Sequence, residues 1–505
     1  MDLTPDQSAF EQTYNKGHAQ VVWTTLLGDL DTPVSAYMKL VGADQLGFLL
    51  ESVEGGANRG RYSFVGCRPD LIWRATGEQA EINRNALEDA NTFATCPVAE
   101  EHGTLKSLRA LLAESRIDMP EDLPPMAAGL IGYLSYDSVR LVENIPNNNP
   151  DVLNVPDGLF LRPTVITIFD NASDNVFVVT PVYPADGVNA EQAYDAAQDR
   201  LGRTISDFES ALPPQPVQQN TLDLPEPQSN MEKSAFFNMV DKAKEYILAG
   251  DIFQVVLSQR FKLPFSLPPF AFYRSLRRIN PAPFLFYLNF GGFQVAGSSP
   301  EILVRLRDGT VTIRPIAGTR PRGATVAEDK ALEEDLLADP KERAEHLMLL
   351  DLGRNDVGRV AKVGTINVTD SYMIERYSHV MHIVSNVEGK IADGKDAIDA
   401  LYAGFPAGTV SGAPKVRAME IIDELEPEKR GIYAGCIGYF GADGEMDTCI
   451  ALRTAVIKDG WLYAQAGGGV VTDSTPLGEF DESCNKAKAL IRAAQEAVRY
   501  ARRNN

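Results

Sequence analysis

Apolar positions recur along the chain with two different periods. The runs 163–171 (PTVITIFDN) and 176–182 (VFVVTPV) are rich in β-branched residues and are bounded by Asn, Asp and Pro, which predicts two strands. Residues 104–115 instead repeat apolar side chains at helical spacing. The first part of the chain therefore predicts mixed helical and strand structure.

A proline-rich segment interrupts both periods. Residues 212–228 (LPPQPVQQNTLDLPEPQ) contain five prolines and no apolar repeat. This composition favours extended, solvated backbone. We expect a linker here, between an N-terminal region (1–211) and a C-terminal region (229–505).

Helix signals are sharper after the linker. Ser229 with Glu232 three residues later predicts a capping box, and Gly250 is a natural helix stop. A second helix is predicted to begin at Asp339 and Pro340, with the aspartate as N-cap.

The last part of the chain predicts strands and then a long helix. Residues 446–457 and 460–466 read as strands, and apolar positions recur at helical spacing over 478–502. On a continuous strand over 446–457, Arg453 would share a face with Cys449, where a carboxylate ligand or an internal ion pair could meet it.

Composition narrows the class of protein. The 505 residues carry 69 acidic and 48 basic side chains, a formal net charge of -21. That excess argues against a nucleic-acid binder and against docking on anionic lipid. No apolar run is long enough for a membrane helix, the first residues do not resemble a signal peptide, and five scattered cysteines fit reduced thiols. We expect a cytoplasmic protein.

Two glutamate pairs could hold a metal ion. Glu342 with Glu345, and Glu479 with Glu482, are each three residues apart, so each pair lies on one helical face, and Lys486 shares the face of the second pair. Four carboxylates could hold Mg²⁺, partly through water. The alternatives are solvated helix faces, a capping-box role for Glu342 and a plain Glu482–Lys486 surface pair.

Other segments could bind an anion. The glycines 467–469 follow a predicted strand, and the loop 404–415 leads into a helix; both could present backbone N–H groups, although 467–469 could equally be a turn. His379 and His382 would lie on opposite faces of a strand, which argues against a joint metal site. One of them could be an acid–base group, and the alternative is a hydrogen-bonded core or edge histidine. The residues alone predict a metal-assisted enzyme that acts on a small anionic substrate, and nothing more specific.

Taken together, these segments resemble the chorismate-utilising enzymes, and among them the large subunits of anthranilate synthases. The matching blocks are AGDIFQVV (249–256), SPE (299–301), PIAGT (315–319), ERAEHLMLLDLGRND (342–356), HVMH (379–382), 405–415, RGIYAG (430–435), 466–470 and 479–486, with 32–35, 49–52 and 60–64 before the linker. The resemblance implies an α+β fold, a four-layer α/β/β/α core of two packed, largely antiparallel sheets flanked by helices.

The resemblance also implies a reaction and a site. Chorismate would lose its ring hydroxyl as ammonia adds, giving aminodeoxyisochorismate, and loss of pyruvate would yield anthranilate. By position, the catalytic residues are Glu301 as general acid, His382 and Thr409. Mg²⁺ would be held by Glu345 and Glu482, with Glu342 and Glu479 completing its shell. The residues implied in substrate binding are Gly318, Thr319, Tyr433, Arg453, Gly467, Gly468, Gly469 and Lys486.

Two positions separate the relatives. Isochorismate and salicylate synthases have a water-activating lysine where this chain has Gln254, and aminodeoxychorismate synthases have a nucleophilic lysine where it has Ala317. Both differences favour an anthranilate-forming enzyme. The rivals are an aminodeoxychorismate synthase and an inactive subunit that only senses tryptophan.

The resemblance further implies a partner and an inhibitor. No cysteine lies in a glutaminase motif, so ammonia is expected from a separate glutamine amidotransferase subunit in a hetero-oligomer. The residues matching the family's tryptophan site predict feedback inhibition in tryptophan biosynthesis; they are Glu51, Ser52, Pro283, Phe284 and Leu285. For Ser52 the alternative is a plain strand-end hydroxyl.

Overall fold

Helices and antiparallel strands alternate throughout the computed structural model, which describes residues 1–42, 45–54, 58–213, 224–377 and 380–501. The predicted α+β class is confirmed. Most of the predicted linker and all of His379 lie outside the described residues. The division into two regions at 212–228 therefore stays a prediction.

The helices cover both halves of the chain. In chain order they are α1 (Gln7–Tyr14), α2 (Pro33–Leu40), α3 (Pro97–His102), α4 (Thr104–Glu114), α5 (Ala190–Glu209), α6 (Lys233–Ala249), α7 (Pro269–Ile279), α8 (Val326–Ala338), α9 (Pro340–Gly358), α10 (Ala397–Gly404), α11 (Lys415–Leu425), α12 (Pro476–Glu496) and α13 (Val498–Ala501). Single 3₁₀ turns lie at Tyr136–Leu141 and Gly408–Val410.

The strands vary from two to fifteen residues. In chain order they are β1 (Gln20–Leu27), β2 (Gly47–Glu51), β3 (Val53–Glu54), β4 (Asn58–Arg59), β5 (Tyr62–Thr76), β6 (Gln79–Asn83), β7 (Ala94–Thr95), β8 (Gly129–Leu134), β9 (Gly158–Asp170), β10 (Asn175–Val182), β11 (Gln228–Ser229), β12 (Gln254–Pro264), β13 (Phe284–Asn289), β14 (Gln294–Ser299), β15 (Ile302–Arg307), β16 (Thr310–Ile313), β17 (Ile316–Pro321), β18 (Asn367–Arg376), β19 (Val380–Lys390), β20 (Gly412–Ala413), β21 (Cys436–Gly441), β22 (Met446–Ile450), β23 (Thr454–Lys458) and β24 (Trp461–Val470).

Hydrogen bonds join the strands into one large network. Apart from the small β3–β4 ladder, the strands of the described residues belong to a single 22-stranded arrangement whose paired strands run antiparallel. Strands from both sides of the predicted linker pair directly, β2 with β13 and β8 with β21. The two parts of the chain therefore share backbone hydrogen bonds as well as side-chain packing.

Most of the predicted elements are present. β9, β10 and α4 lie where the apolar periods predicted them, and Gly250 ends α6 with a left-handed φ of 84°. The predicted capping box is wrong. Ser229 belongs to β11 and its hydroxyl donates to Gln259 Oε1 at 2.7 Å, so strand pairing has taken the residue that local pattern assigned to the helix.

The predicted strand over 446–457 is two strands. β22 ends at Ile450 and β23 begins at Thr454, and Arg453 between them has a φ of 49°. The strand-face argument for Arg453 was therefore wrong, because alternation of faces holds only along extended backbone. The chain turns here, and the turn re-aims the arginine.

The apolar positions fill several cores. One cluster packs α6, α10 and α11 against strands that include β12 and β15, and a second packs α2, α5, α7 and α12 against the other end of the network. Within the described part of the chain, no helix is long and apolar enough to cross a membrane.

Candidate active site

One cavity gathers the residues proposed for catalysis, substrate and metal. It has a volume of about 590 Å³, which is in the range of small-molecule sites. Fourteen of the fifteen residues predicted for these roles line the cavity, and only Gly468 does not. The fourteen are Glu301, Gly318, Thr319, Glu342, Glu345, His382, Thr409, Tyr433, Arg453, Gly467, Gly469, Glu479, Glu482 and Lys486. The tertiary structure thus brings together groups from nine separate stretches of sequence.

Helix α9 aims two of the glutamates into this cavity. Asp339 caps the helix as predicted, accepting hydrogen bonds from the backbone amides of Lys341 and Glu342. Fixing the first turn places Glu342 and Glu345 on the cavity wall. Glu342 is no capping-box residue, because its carboxylate instead accepts from Arg320 Nη1 at 3.1 Å.

Glu301 is the most perturbed carboxyl group of the site. It lies between β14 and β15 and is only 6% exposed. Burial raises its pKa to about 8, and the Thr409 hydroxyl and the Ile316 backbone amide offset that rise in part. The Thr409 hydroxyl is close enough to the carboxyl group to lower its pKa, but it makes no well-formed hydrogen bond among the described residues. At neutral pH Glu301 is therefore a protonated acid facing the cavity.

The hydrogen bonds of His382 fix its tautomer. Its Nδ1 lies 2.9 Å from the carbonyl oxygen of Gly318 and 3.1 Å from Thr319 Oγ1. A carbonyl oxygen only accepts, so Nδ1 carries the hydrogen and Nε2 is left with its lone pair. Burial is the largest cause lowering the pKa of His382, and the nearby Arg453 and Lys486 lower it further. The ring is therefore neutral, with Nε2 able to accept a proton.

The glutamates of α12 differ in their partners. Glu479 Oε1 accepts from Ser474 Oγ at 2.6 Å, whereas Oε2 is buried without a hydrogen-bond partner. Glu482 pairs with Lys486 at 2.6 Å, and Lys486 also donates to the Gly467 carbonyl. The surface-pair alternative for these two is thus only half right, since the pair lines the cavity.

This donor set fits Mg²⁺ without forming a closed cage. Among the described residues, no three His, Cys, Asp or Glu side chains are close enough together to hold a metal by themselves. Burial, followed by the charge of Glu342, raises the pKa of Glu345. Unpaired carboxylate oxygen at Glu479 and repulsion at Glu345 both favour an added cation, and Mg²⁺ needs only one or two protein carboxylates because it keeps several waters.

Arg453 and Tyr433 also line the cavity. Arg453 has no ion-pair partner among the described residues, so the internal-ion-pair alternative is wrong, and burial lowers its pKa. Tyr433 is 7% exposed, and burial raises its pKa to about 12, which keeps the phenol protonated as a donor. An unpaired guanidinium beside a phenol O–H suits a carboxylate ligand.

The three glycines leave space for neighbouring side chains and do not form a turn. Gly467, Gly468 and Gly469 lie within β24, paired with β12, so the turn alternative is wrong. A Cβ on Gly468 would lie 2.5 Å from Glu479 Oε2, and one on Gly469 would lie 2.6 Å from Gln254 Nε2. Side chains there would push the acid and amide groups out of place.

Comparisons with known proteins agree on one family. A family model described as "chorismate binding enzyme" matches residues 59–492. Anthranilate synthase component 1 of Cereibacter sphaeroides is 59% identical over 495 residues, covering 98% of each chain. The protein of the same name from Pseudomonas putida is 48% identical over 92% of this chain and 93% of its own. The chain belongs to the chorismate-binding enzyme family.

Solved structures of this family have the same fold. The crystal structure of anthranilate synthase component I from Streptococcus pneumoniae superimposes with a TM-score of 0.73 at 35% identity, covering 92% of this chain and 98% of that one. A menaquinone-specific isochorismate synthase from Escherichia coli reaches 0.70 at 19% identity, covering 97% and 99%. At that lower identity the likeness shows the fold alone.

Some groups at this cavity have no local sequence signal. Arg320 follows the substrate-binding block on β17 and bonds Asp335, Asp339 and Glu342, which ties α8 and α9 to the strand. Ser474 lies just before α12 and orients Glu479. Neither belongs to a motif whose chemistry predicts the contact, because each acts on a partner that only the fold brings near.

The residues matched to the family's tryptophan site lie apart from this cavity. β2 and β13 are neighbours, with Glu51 opposite Leu285, and Phe284 opens the same strand after Pro283. Glu51 accepts hydrogen bonds from Tyr273 and from both Arg277 Nε and Nη2 at 2.6–2.7 Å. The five predicted residues are thus close along two paired strands, and the Glu51 carboxylate is already neutralised.

Proposed function

We propose that the chain is the chorismate-converting subunit of an anthranilate synthase, a lyase that forms anthranilate and pyruvate from chorismate and ammonia through aminodeoxyisochorismate. The single observation that carries the proposal is the cavity itself. A protonated buried acid, unpaired carboxylate oxygen and an unpaired arginine line one 590 Å³ space. Chorismate has the matching parts: a ring hydroxyl that must leave and two carboxylates.

Each side chain has a role that follows from its state. Arg453, Tyr433 and Lys486 bind the enolpyruvyl carboxylate, and the Gly318–Thr319 backbone contacts the ring. Glu301 gives its proton to the departing hydroxyl, because a pKa of about 8 keeps it protonated and still acidic enough to donate. His382 accepts a proton at Nε2, the nitrogen that the Gly318 contact leaves free.

Magnesium completes the site in this proposal. Glu345 and Glu482 hold it, with Glu342 and Glu479 completing the shell, some through water. When bound, it neutralises the ring carboxylate and orients the ring. The unpartnered Glu479 Oε2 supports this assignment. Glu345→Ala should abolish activity at ordinary Mg²⁺ levels, whereas Glu191→Gln on exposed α5 should not; full activity of the first variant contradicts the role.

Two cavity residues favour ammonia as nucleophile and anthranilate as product. Gln254 is 3% exposed, lines the cavity and has a neutral amide that cannot activate water as a lysine would. Ala317 lines it as well and offers no nucleophile for the aminodeoxychorismate route. We further propose the four-layer α/β/β/α arrangement for the strand network, in line with the family resemblance.

Ammonia is proposed to come from a separate glutamine amidotransferase subunit. The relatives' name includes the words "component 1", which describes a protein of a multi-component enzyme. A hetero-oligomer in the cytoplasm follows from this proposal. Glutamine should therefore replace ammonium as nitrogen source only when the partner subunit is added.

One assay tests the proposed function. The chain is incubated with chorismate, excess ammonium and Mg²⁺, and anthranilate fluorescence is followed. Formation of anthranilate supports the proposal. A product that becomes aromatic only after a separate lyase is added would favour the aminodeoxychorismate alternative, and no turnover by folded protein would favour an inactive tryptophan-sensing subunit.

Tryptophan is proposed to inhibit through the β2–β13 site. Ser52 directly follows Glu51, and the added bulk of Ser52→Phe should block the ligand. We expect the variant to keep its activity and to lose tryptophan sensitivity, with Ser206→Phe on the exposed face of α5 as control. Unchanged sensitivity of the Ser52 variant contradicts the assignment.

A further inference from the structure

A second, much smaller cavity lies on the far side of Glu301. It has a volume of about 30 Å³ and shares Glu301, Leu349 and Thr409 with the substrate cavity. The remaining lining comes from β15, β16, α9 and the 404–408 turn, and includes Gly353 and Asp356. A space of this size holds at least one water molecule.

Polar groups are placed where such a water needs them. At one end are the Glu301 carboxyl group and the Thr409 hydroxyl, which is buried without a hydrogen-bond partner. Farther along lies Asp356, whose carboxylate pairs with Lys415 Nζ at 2.9 and 3.0 Å. Arg314 and Leu352 are partly exposed members of the lining, so the cavity reaches toward solvent.

We propose that this small cavity holds water that returns a proton to Glu301 within each turnover, while the ring still fills the large cavity. The inference rests on the proposed function, in which Glu301 becomes a carboxylate once per reaction. Bound chorismate fills the large cavity on the other side and separates Glu301 from solvent there. The small cavity is then the path by which bulk water reaches the acid.

The proton balance is simple. The nitrogen of ammonia forms a bond to ring C2 while the ring C–O bond breaks, and the departing oxygen takes the Glu301 proton and leaves as water. The ammonium group formed on the ring gives one proton to His382 Nε2, which releases it to bulk solvent when the product leaves. Water in the small cavity gives one proton to the Glu301 carboxylate and regains one from bulk solvent, so no proton is gained or lost overall.

Gly353 offers a way to fill this cavity with little disturbance. A Cβ added there lies 3.6 Å from Ile313 Cγ2 and 3.7 and 3.8 Å from Pro315 carbons, which is ordinary contact, and both neighbours line the same cavity. Gly353→Ala also suits a helix interior. Gly358→Ala, on the same helix, has its nearest neighbour Ile366 at 3.4 Å and lies outside the cavity lining, which makes it a matched control.

The test is steady-state kinetics with chorismate, ammonium and Mg²⁺ in H₂O and in D₂O. We expect Gly353→Ala to lower kcat by about tenfold, less than the roughly 10²–10⁴-fold that a general acid contributes, because the acid itself is kept; KM for chorismate should be unchanged and the solvent isotope effect larger. Gly358→Ala should match the unmodified protein. An unchanged kcat and isotope effect in Gly353→Ala, or an equal loss in both variants, overturns the proposal. If the unmodified protein forms no anthranilate, the proposed function itself has failed.

Discussion

Two groups of buried carboxylates differ in whether a positive charge is paired with them. Glu426 is 3% exposed, but Arg430 donates to both of its oxygens at 2.6 and 2.9 Å, and Ser258 donates to it through its amide and its hydroxyl at 2.8 Å. Among the described residues, Glu301 and Glu479, 6% and 8% exposed, form no ion pair, although Lys486 and Lys341 act on Glu479 from a distance. Similar burial therefore serves two ends.

The difference teaches how to separate structural from chemical carboxylates here. Burial raises the pKa of both Glu301 and Glu479, and no positive charge nearby cancels that rise. Around Arg430 each charge is matched, and its remaining N–H groups donate to the carbonyls of Val410 and Val256, which lie in the cavity lining. The matched cluster holds the wall in place, and the unmatched groups face the cavity.

Removing the acid from the unmatched group should have the largest effect. Glu301→Gln keeps the shape but has no acidic proton, so kcat should fall by about 10²–10⁴-fold with KM little changed. In the unmodified protein, activity should fall above pH 8 as Glu301 ionises. Steady-state kinetics across pH check both. Full kcat in Glu301→Gln, or an equal loss of activity in the exposed control Glu191→Gln, contradicts this assignment.

Breaking the matched cluster should cost stability instead. Arg430→Met leaves Glu426 as an unpaired buried charge, which should lower the free energy of unfolding by about 3–5 kcal/mol. Arg492→Met, on the exposed face of α12, removes the 3.0 Å surface pair with Glu496 and should lower the free energy of unfolding by less than about 1 kcal/mol. Urea unfolding measures both. Equal, small losses would show that the buried pairing does not stabilise this wall.

Loosening one unmatched carboxylate should weaken metal binding. Ser474→Ala removes the hydrogen bond that orients Glu479, and loss of such a supporting contact costs about 10–100-fold in metal affinity. Thermal stability measured against Mg²⁺ concentration gives the affinity without an activity assay. Ser206→Ala on α5 should leave the Mg²⁺ response unchanged. An unaltered response in the Ser474 variant would remove Glu479 from the shell.

The smallest expected effect is a gain in stability from Glu301→Gln, the same substitution that should remove activity. The folded state holds a proton on Glu301 up to about pH 8, whereas the unfolded chain loses it near 4.5, so the free energy of unfolding falls as pH rises between those values. Glu301→Gln has no such loss and should exceed the unmodified protein by at least about 1 kcal/mol at pH 8–9. Urea unfolding at pH 5 and pH 9 checks the sign, and an equal difference at both values contradicts it.

Local pattern predicted the parts of the site that depend on one element. The spacing of Glu342 and Glu345, and the N-cap Asp339, followed from helical geometry and are confirmed by α9. The strand prediction for Arg453 failed, because the sequence around it remains apolar where the chain turns at a left-handed residue. Ser229 failed for a related reason, since β11 pairs with a strand 30 residues away along the chain.

The sequence by itself determined the residue types, the α+β class and the family, because periods, caps and motifs are properties of neighbouring residues. Only the tertiary structure decided which charges are matched. Glu426 and Arg430 are four residues apart and would pass for a surface pair, yet burial makes their pairing essential. In the sequence Glu301 looks like any other glutamate, but its burial between β14 and β15 keeps its carboxyl group protonated at neutral pH. The free energy of an ionised group depends on its solvent and its neighbours, and folding supplies both.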